Sequence, residues 1–221
     1  MNDNDIWLIA ILAISSLAPF LIACGTCYIK FSIVFIMVRN AIGLQQIPSN
    51  MTLNGIALVL AAFVMTPVLK GGYDYYIENN IDLRDRQSTE TFLEKGFTGY
   101  KEYLIKYTDK DLAQWFDNAR SNISAEERAD IDEEERDVSI LALLPAYALT
   151  EIKEAFKIGF YIYLPFVVID LLVSSVLLTL GMMMMSPITI SVPIKLLLFV
   201  VIDGWSIISK GLIEQYLFIA T

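Results

Sequence analysis

The stretch Leu164–Pro187 reads LPFVVIDLLVSSVLLTLGMMMMSP, and three of its features indicate how the chain folds. It is apolar, and its length exceeds the roughly 20 residues that a helix needs to cross a bilayer. It carries one acid, Asp170, which costs roughly 2.5–3.5 kcal/mol near a bilayer centre on insertion scales. It ends in four consecutive methionines, Met182 to Met185, which specify packing less tightly than leucine does. A lipid-facing anchor needs neither the acid nor the methionines, so we expect this stretch to face protein or a lumen.

The composition is that of a membrane protein with one water-facing insert. Of the 221 residues, 56% are hydrophobic, and the mean hydropathy is +0.55, which exceeds the usual range of soluble domains. The net charge of −9 is local, because residues 71–137 hold 18 acids and 9 bases whereas the rest of the chain holds seven of each. We therefore predict an all-α, integral membrane-type fold. Two apolar helical hairpins, residues 1–70 and 138–221, flank a small acidic helical insert on the extracytoplasmic side.

The composition also argues against several classes of function. The acidic balance disfavours nucleic acid as a partner, because phosphate contacts need a basic surface. The chain contains no histidine, the commonest general base and metal ligand, and no G-x-x-x-x-G-K-[ST] nucleotide-binding loop. Cys24 and Cys27 form a C-x-x-C motif inside an uncharged apolar run with no second ligand pair, so we interpret them as small residues on a buried helix face. We predict no enzymatic activity, no metal and no cofactor.

The first 70 residues predict a helical hairpin. The segment Ile6–Ile29 has 24 residues without a charge, and Pro19 and Gly25 indicate a kink or break near its middle. After a short polar joint, a second uncharged segment, Met51–Leu69, is expected to end at Lys70 and the two glycines that follow. Asp3 and Asp5 do not fit the basic start of a cleaved signal peptide.

The acidic insert predicts two helices and a polar segment. Apolar residues at helical spacing indicate an amphipathic helix over Ser88–Tyr107. Thr108 has the spacing of a helix N-cap for a second helix that ends near Arg120; this helix is expected to bury Leu112, Trp115 and Phe116. The run Ser124–Asp137 is highly charged. It fits a solvated linker, and the alternative is a docking surface for a basic partner.

The C-terminal part predicts a helix that starts near Pro145 and leads into the stretch Leu164–Pro187. The following residues, 188–195, read ITISVPIK and predict a turn or a short irregular tip. The last segment, Leu196–Ser209, contains Asp203 and is only marginal as a spanning helix. From the position of the basic residues, we expect the joint Lys30–Arg39 and the tip at Lys195 on the cytoplasmic side, and the insert on the periplasmic side.

Charged residues within or beside the apolar segments are expected to pair. The candidates for buried or inter-subunit polar pairing are Lys30, Glu151, Lys153, Glu154, Lys157, Asp170 and Asp203. Glu154 and Lys157 lie three residues apart and can meet on one helix face. For Lys30 two interpretations remain open, namely snorkelling to the headgroups and a buried pairing role.

Four quoted motifs resemble the FliP/SctR family of type III secretion proteins. The run GTCYIKFSIV, residues 25–34, and VRNAIGLQQIPSNMTLNGIAL, residues 38–58, resemble the first hairpin of that family. PAYALTEIKEAFKIGF, residues 145–160, and PFVVIDLLVSSVLLTLGMMMM, residues 165–185, resemble its two signatures. The match covers both apolar parts in order, about two-thirds of the chain, and its wording is most similar to the invasion-type injectisome branch. The start of the chain, which does not look like a signal peptide, also favours that branch.

The resemblance implies a core subunit of the export apparatus, embedded in the bacterial inner membrane within the basal body. Family members form a ring of about five copies, and two small partners, the SctS-like and SctT-like subunits, complete a helical export gate with it. An SctU-like export gate protein contacts its base, and unfolded secreted proteins are the substrates. The resemblance also implies that apolar helices pack on one another and on partners, so charged residues would meet their partners in protein. Met182, Met183, Met184 and Met185 correspond to a pore gasket.

The physical chemistry of methionine agrees with such a gasket. Its side chain is flexible and polarisable, so a ring of methionines can deform around varied substrates, and a closed hydrophobic constriction blocks ions by dewetting. The alternative is that the four residues fill an irregular core. Four consecutive residues cannot share one helix face, so a gasket predicts a loop, with Gly181 and Pro187 as its helix breakers.

A second function class remains open from the sequence. Asp170 and Asp203 lie in the two C-terminal apolar segments, as the coupling acids of a proton-coupled small-solute transporter would. A membrane enzyme is the third class, and the absence of histidine and of a nucleophile motif disfavours it. The leading hypothesis is therefore an export gate for unfolded proteins with no chemistry of its own.

Overall fold

The protein is α-helical throughout the part of the chain that the structure describes. The structure, a computed structural model, describes residues 12–13, 16–79, 92, 96–121, 138–182 and 184–217. These ranges contain no β-strand, which confirms the predicted fold class. The eight helices of eight or more residues in these ranges are α1 (Ala18–Gly25), α2 (Tyr28–Ile42), α3 (Asn50–Glu78), α4 (Thr98–Tyr107), α5 (Lys110–Ser121), α6 (Ile140–Thr179), α7 (Pro187–Val201) and α8 (Gly204–Leu217).

The helices pack into two compact units. Unit 1 contains the described residues of Met1–Ile29 and Met65–Glu151, and unit 2 contains those of Lys30–Val64 and Ile152–Thr221. Each unit takes residues from both apolar parts of the sequence. The two packing units therefore do not coincide with the three segments predicted from the sequence. Those segments divide the chain by polarity, and they stay a prediction.

The first apolar segment contains a break, as predicted, but the break lies near the end of the segment and not near its middle. A short loop joins the next two helices. Helix α1 ends at Gly25, and α2 begins at Tyr28. Between α2 and α3 the chain turns through Gly43, whose φ of +91° lies in the left-handed region that favours glycine. The Nη1 of Arg39 holds this loop, because it donates to the Pro48 carbonyl (3.1 Å) and to Asn50 Oδ1 (2.6 Å).

Helix α3 continues past the predicted end at Lys70. It runs through Gly71 and Gly72 to Glu78. A helical glycine costs only about 1 kcal/mol relative to alanine. The ring of Phe92 packs on Tyr75 and Tyr76, with centroids 6.4 and 5.9 Å apart, and this contact stabilises the last turns.

Helix α6 is one continuous helix of 40 residues. The expectation that it begins near Pro145 is wrong, because Ile140 is its first residue, and Pro165 does not interrupt it. At about 1.5 Å per residue the helix is on the order of 60 Å long, which is about twice the thickness of a hydrocarbon core. Burial of Ala146, Tyr147 and Ala155 offsets the local cost of the internal prolines.

The predicted irregular tip after Pro187 is helical, and this prediction is wrong. Pro187 occupies the first turn of α7, where the missing N–H costs nothing. The chain bends by 59° between α7 and α8, at Asp203, whose φ is +51°. A Cβ on Gly204 would lie 2.3 Å from Cε2 of Phe199, so only glycine allows the ring to cover the bend.

Unit 1 contains a cluster of buried tyrosines around the first helix of the insert. Tyr103 shares a 2.5 Å hydrogen bond with the hydroxyl of Tyr147, and both rings are buried. The Tyr100 hydroxyl donates to the Gly25 carbonyl (2.8 Å). Burial raises the pKa of Tyr100 to about 12. For Tyr103, burial holds the pKa well above its usual value, and the neighbouring Cys27 and Glu151 raise it further.

The two insert helices differ in detail from the sequence prediction. Helix α4 confirms the C-terminal part of the predicted amphipathic helix, and its N-terminal part lies largely outside the described residues, as does most of the charged run that follows α5. Trp115 was expected to be buried, but it is 62% exposed; the small Ala113 occupies the buried position of α5 instead.

The N-cap side chain of α5 is that of Asp109, whose Oδ1 accepts from the N–H of Asp111 (3.1 Å). Thr108 instead donates to the carbonyl of Leu104.

Unit 2 has an apolar core rich in aromatic residues. Phe31 and Phe35 of α2 are buried and make edge-on contacts with Tyr216 (5.8 Å) and Trp205 (6.0 Å) of α8. Phe199 of α7 packs on Trp205 at 5.3 Å. Each fully buried side chain of this size contributes roughly 1.5–3 kcal/mol, so these aromatic residues hold α2, α7 and α8 together.

Two helices are long and apolar enough to cross a membrane. They are α3 and α6, and the count rises to four if each of two bent helix pairs forms one span, judged by length and composition within the described residues. The apolar windows of α3 and α6 are only 28% and 11% buried inside the chain. Most of their apolar surface is therefore available to lipid or to other chains.

We predict that unit 1 loses stability above pH 10. The folded-state pKa values of Tyr100 and Tyr103 are raised above the unfolded value of about 10. Their contribution is therefore complete below that pH and is lost as the pH rises through the folded pKa. In detergent, the unfolding midpoint of the wild-type chain should fall between pH 10 and 12, and Tyr103→Phe should flatten the decline.

The matched control is Tyr161→Phe, because the Tyr161 side chain is 62% exposed. This variant should keep the wild-type slope. If Tyr103→Phe also kept it, the buried phenol would not be the titrating group.

Candidate functional site

The methionine run lies in a loop between α6 and α7. Helix α6 ends in a glycine C-cap, with Gly181 at a φ of +73°. The N–H of Met182 donates to the Leu177 carbonyl (2.9 Å), and the N–H of Gly181 donates to the Leu178 carbonyl (3.0 Å). These two bonds form the Schellman motif. The helix therefore stops immediately before the methionines, and α7 restarts at Pro187.

The described methionines of the loop expose their side chains. Met184 is fully exposed, and Met182 and Met185 are 41% and 46% exposed; Met183 lies outside the described residues. The N–H of Met185 donates to the Met182 carbonyl (3.2 Å), which closes a turn. The prediction of a loop, with Gly181 and Pro187 as the helix breakers, is thus confirmed for these three residues. The exposure does not fit the alternative that they fill a core within the chain.

A half-buried ion pair anchors Asp170, the acid of the stretch Leu164–Pro187. Lys195 Nζ lies 2.5 Å from Asp170 Oδ2 and 3.3 Å from the carbonyl oxygen of Ala41. The Lys195 side chain is 6% exposed and that of Asp170 is 40% exposed. Ala41 belongs to the last turn of α2, where carbonyls lack helical partners and cations are favoured. Lys195 therefore links α2, α6 and α7.

The structure favours the buried interpretation of Lys30. Its side chain is 5% exposed, and its Nζ lies 4.8 Å from the centroid of the Tyr216 ring. A desolvated cation over an aromatic face gains up to about 2 kcal/mol.

The other predicted pairing residues have varied environments. Glu154 and Lys157 form an exposed ion pair (3.6 Å). Glu151 is buried, whereas Lys153 is exposed. Asp203 is exposed and accepts from the hydroxyl of Ser206 (3.0 Å). The structure thus brings Glu154 together with Lys157, and it gives Asp170 a partner outside the predicted set.

Sequence reasoning missed Lys195 as the partner of Asp170. The signal was present, because a half-buried acid requires a base and the apolar C-terminal segments contain few. Arg39 and Ser191 were missed as well. Both are buried, and Arg39 Nε and Ser191 Oγ make no hydrogen bond within the described residues.

The C-x-x-C motif does not form a site in the described part of the chain. Cys24 is exposed and is a free thiol, whereas Cys27 is fully buried. The interpretation of two residues on a buried face is therefore correct for Cys27 and wrong for Cys24, because the helix break between them separates their environments. No group of three potential metal ligands occurs among the residues described.

The chain has long apolar helices that are mostly unburied, and a methionine loop that follows a capped helix end. These features define a class, the membrane-type subunits that are built from several helices. Comparison with known proteins specifies the family. The model of the FliP family matches residues 11–212, and the chain belongs to this family.

Named relatives support the same assignment. The chain is 60% identical to the surface presentation of antigens protein SpaP of Salmonella typhimurium over 222 residues, 99% of each chain. It is 60% identical to SpaP of Shigella flexneri over 215 residues, 97% of each. It is 41% identical to the Yop proteins translocation protein R of Yersinia pestis over 213 residues, 96% of this chain and 97% of the relative. Family and relatives together assign the chain to the type III secretion export apparatus.

We predict an asymmetric cost of breaking the buried ion pair. Asp170→Leu leaves the buried Lys195 ammonium with one carbonyl, which should destabilise the protein by about 3 kcal/mol. Lys195→Met removes the buried charge and leaves a partly hydrated carboxylate, which should cost about 1–2 kcal/mol. The double variant should cost less than the sum. Denaturant unfolding in detergent measures all three.

The exposed pair of Glu154 and Lys157 provides the control. Glu154→Gln should change the free energy of unfolding by no more than about 0.5 kcal/mol. An Asp170→Leu variant as stable as this control would mean that the ion pair does not hold the helices.

Proposed function

We propose that the chain is a core subunit of the type III secretion export gate. In this role, copies of the chain form an oligomeric pore through which unfolded proteins cross the bacterial inner membrane. The observation that carries the proposal is the methionine loop, exposed at the end of a 40-residue apolar helix and delimited by Gly181 and Pro187. Membership of the FliP family supports it.

The loop has the physical properties that a gate for unfolded chains requires. A substrate presents every kind of side chain in turn, so the closure must adapt its shape without specific contacts. Thioether side chains deform readily and offer no hydrogen bond that would hold a substrate. When several copies bring Met182, Met184 and Met185 together, the ring excludes water and blocks ions. We assign the same role to Met183.

The uncovered apolar surface supports an oligomer. An isolated soluble chain does not expose apolar surface as continuous as that of α6, where residues including Leu171, Leu172, Val176 and Leu178 are 58–63% exposed. Neighbouring copies and lipid would cover it. We propose a ring of about five copies, completed by SctS-like and SctT-like subunits and contacted by an SctU-like export gate protein. The ring is a multi-pass component of the inner membrane within the basal body, with the acidic insert on the periplasmic side.

The charged residues of the apolar segments are assigned to assembly. Within one chain Asp170 already has a partner, Lys195, which keeps three helices in register. Lys30, Glu151, Lys153, Glu154, Lys157 and Asp203 are proposed to pair within or between copies. The alternative of a proton-coupled small-solute transporter gains no supporting observation, because Asp170 is paired and Asp203 lies at an exposed helix bend.

We expect the detergent-extracted chain to form a ring. Native mass spectrometry should give a dominant species of about five chains of 24.9 kDa, and co-expression with the two small partner subunits should add their mass to it. A stable monomer or dimer that ignores those partners would contradict the proposal.

We expect that shortening the loop side chains opens the gate to ions. Replacement of Met182, Met184 and Met185 by alanine removes the bulk that closes the constriction. The membrane of cells that express the complete apparatus should become several-fold more permeable. The entry of a dye or the sensitivity of the cells to small ions measures this permeability.

Met51→Ala is the matched control, because Met51 is 86% exposed and lies outside the loop. It should leave the membrane sealed. Equal leakage in the control and the loop variant would exclude the methionine loop as the closure.

A further inference from the structure

The methionine loop lies at the tip of a helical arm that begins at the ion pair. The carboxylate of Asp170 in α6 and the ammonium of Lys195 in α7 lie 2.5 Å apart. Beyond this pair, α6 runs up to the loop and α7 returns from it. We call residues 171–182 and 184–190 the arm, and the parts of α6 and α7 on the other side of the pair its base.

The base is held by packed aromatic rings. The centroid of the Phe166 ring lies 6.4 Å from that of Phe199, and the Phe199 ring lies 5.3 Å from that of Trp205 in α8. Phe166 and Phe199 are 4% and 3% exposed, and Ser191 and Lys195 are buried as well. The base is therefore a firm support for the arm.

The arm itself has few contacts that would hold it in place. Within its described residues, each hydrogen bond is local, and no hydrogen bond or ion pair joins α6 to α7. Leu177 is the one residue of the described arm that is buried. Five large apolar side chains of its α6 part are 58–66% exposed, namely Leu171, Leu172, Val176, Leu178 and Leu180. Segments with so few buried contacts belong to the least stable parts of a fold.

The α6 part of the arm contains three side chains that loosen a helix. The hydroxyl of Ser174 donates to the Asp170 carbonyl (2.8 Å), and that of Ser175 donates to the Leu171 carbonyl (2.8 Å). The hydroxyl of Thr179 donates to the Ser175 carbonyl (2.9 Å). Such bonds compete with the backbone N–H groups for the same carbonyls, so they slightly destabilise helices and often bend them. The first two lie directly after the ion pair.

The α7 part of the arm has its own weak point. Pro193 lies inside α7, and its side chain is exposed. A proline has no N–H to donate to the carbonyl four residues earlier, here that of Thr189, and its ring crowds that carbonyl. The weak point therefore lies between Thr189 and Pro193, next to Lys195. Both helices are thus loosened close to the ion pair that joins them.

We propose that the arm tilts about the pair of Asp170 and Lys195 to open the gate; this inference rests on the export-gate function proposed above. From Asp170 to Gly181 the helix advances by about 16 Å. A bend of about 20°, as found at helix kinks, moves the tip by about 5–6 Å. Two arms on opposite sides of a ring then widen the opening by about 11 Å, which is close to the diameter of a helix with its side chains.

Hydrogen exchange of the detergent-extracted full chain tests the mobility of the arm. The backbone amides of residues 172–180 are compared with those of residues 156–168 in the base of the same helix. We expect roughly 5- to 30-fold faster exchange in the arm, the effect of about 1–2 kcal/mol. The double variant Ser174→Ala/Ser175→Ala removes two of the loosening bonds and should bring the arm close to the base. Equal exchange of arm and base in the wild type would overturn the proposal.

Secretion of an unfolded substrate by the complete apparatus tests what the motion does. Pro193→Ala restores the missing N–H at an exposed position and stiffens α7, so secretion should fall several-fold while the oligomer keeps its mass and the membrane stays sealed. The matched control is Pro67→Ala, because Pro67 lies inside α3, is also exposed and is outside the arm; it should secrete as the wild type.

Two further outcomes separate this inference from the export-gate proposal. If the serine variant slowed exchange but both it and Pro193→Ala secreted normally, tilting of the arm would not open the gate, although the gate itself would stand. If the chain formed no ring, the export-gate proposal would fail, and the tilting mechanism would fall with it even if the arm exchanged fast.

Discussion

The ammonium group of Lys195 joins three helices at one point in unit 2. It reaches the carboxylate of Asp170 in α6 and the last turn of α2 through the Ala41 carbonyl. The buried ammonium alone would carry a large desolvation cost, which the carboxylate and the carbonyl offset. Together they satisfy one another, and the position of α7 against α6 is fixed because a slip by one turn would separate the charges. The loop that connects α6 and α7 carries the methionines, so the geometry of the candidate site depends on this ion pair.

The chain leaves most of its apolar helix surface uncovered. Only 11% of the apolar window of α6 is buried, whereas the cores around Phe31 and Tyr103 are closed. This contrast separates two kinds of apolar residue that hydropathy treats alike. Residues of the first kind hold the subunit together, and residues of the second kind leave apolar surface available to lipid or to other chains.

Two local features of the sequence, one at each end, position the methionine loop. Gly181 adopts a left-handed conformation that is strained for other residues, and Pro187 begins a helix where its missing N–H does no harm. The described methionines between them, Met182, Met184 and Met185, are consequently kept out of both helices. Their side chains extend away from the chain and are available to a ring or to a passing substrate.

The sequence by itself determined the helical class, the break after Gly25, the loop at the methionines and the family. These features depend on composition, on turn chemistry and on long motifs, all of which are local in the chain. Tertiary packing decided the rest. Helix α3 passes Gly71 because Phe92 packs on its last turns, and residues 188–195 are helical although five of the eight are β-branched. Lys195 became the partner of Asp170 because packing placed two residues 25 positions apart within 2.5 Å of each other. Spacing along the chain carries no information about such a contact, since it exists only when three helices meet.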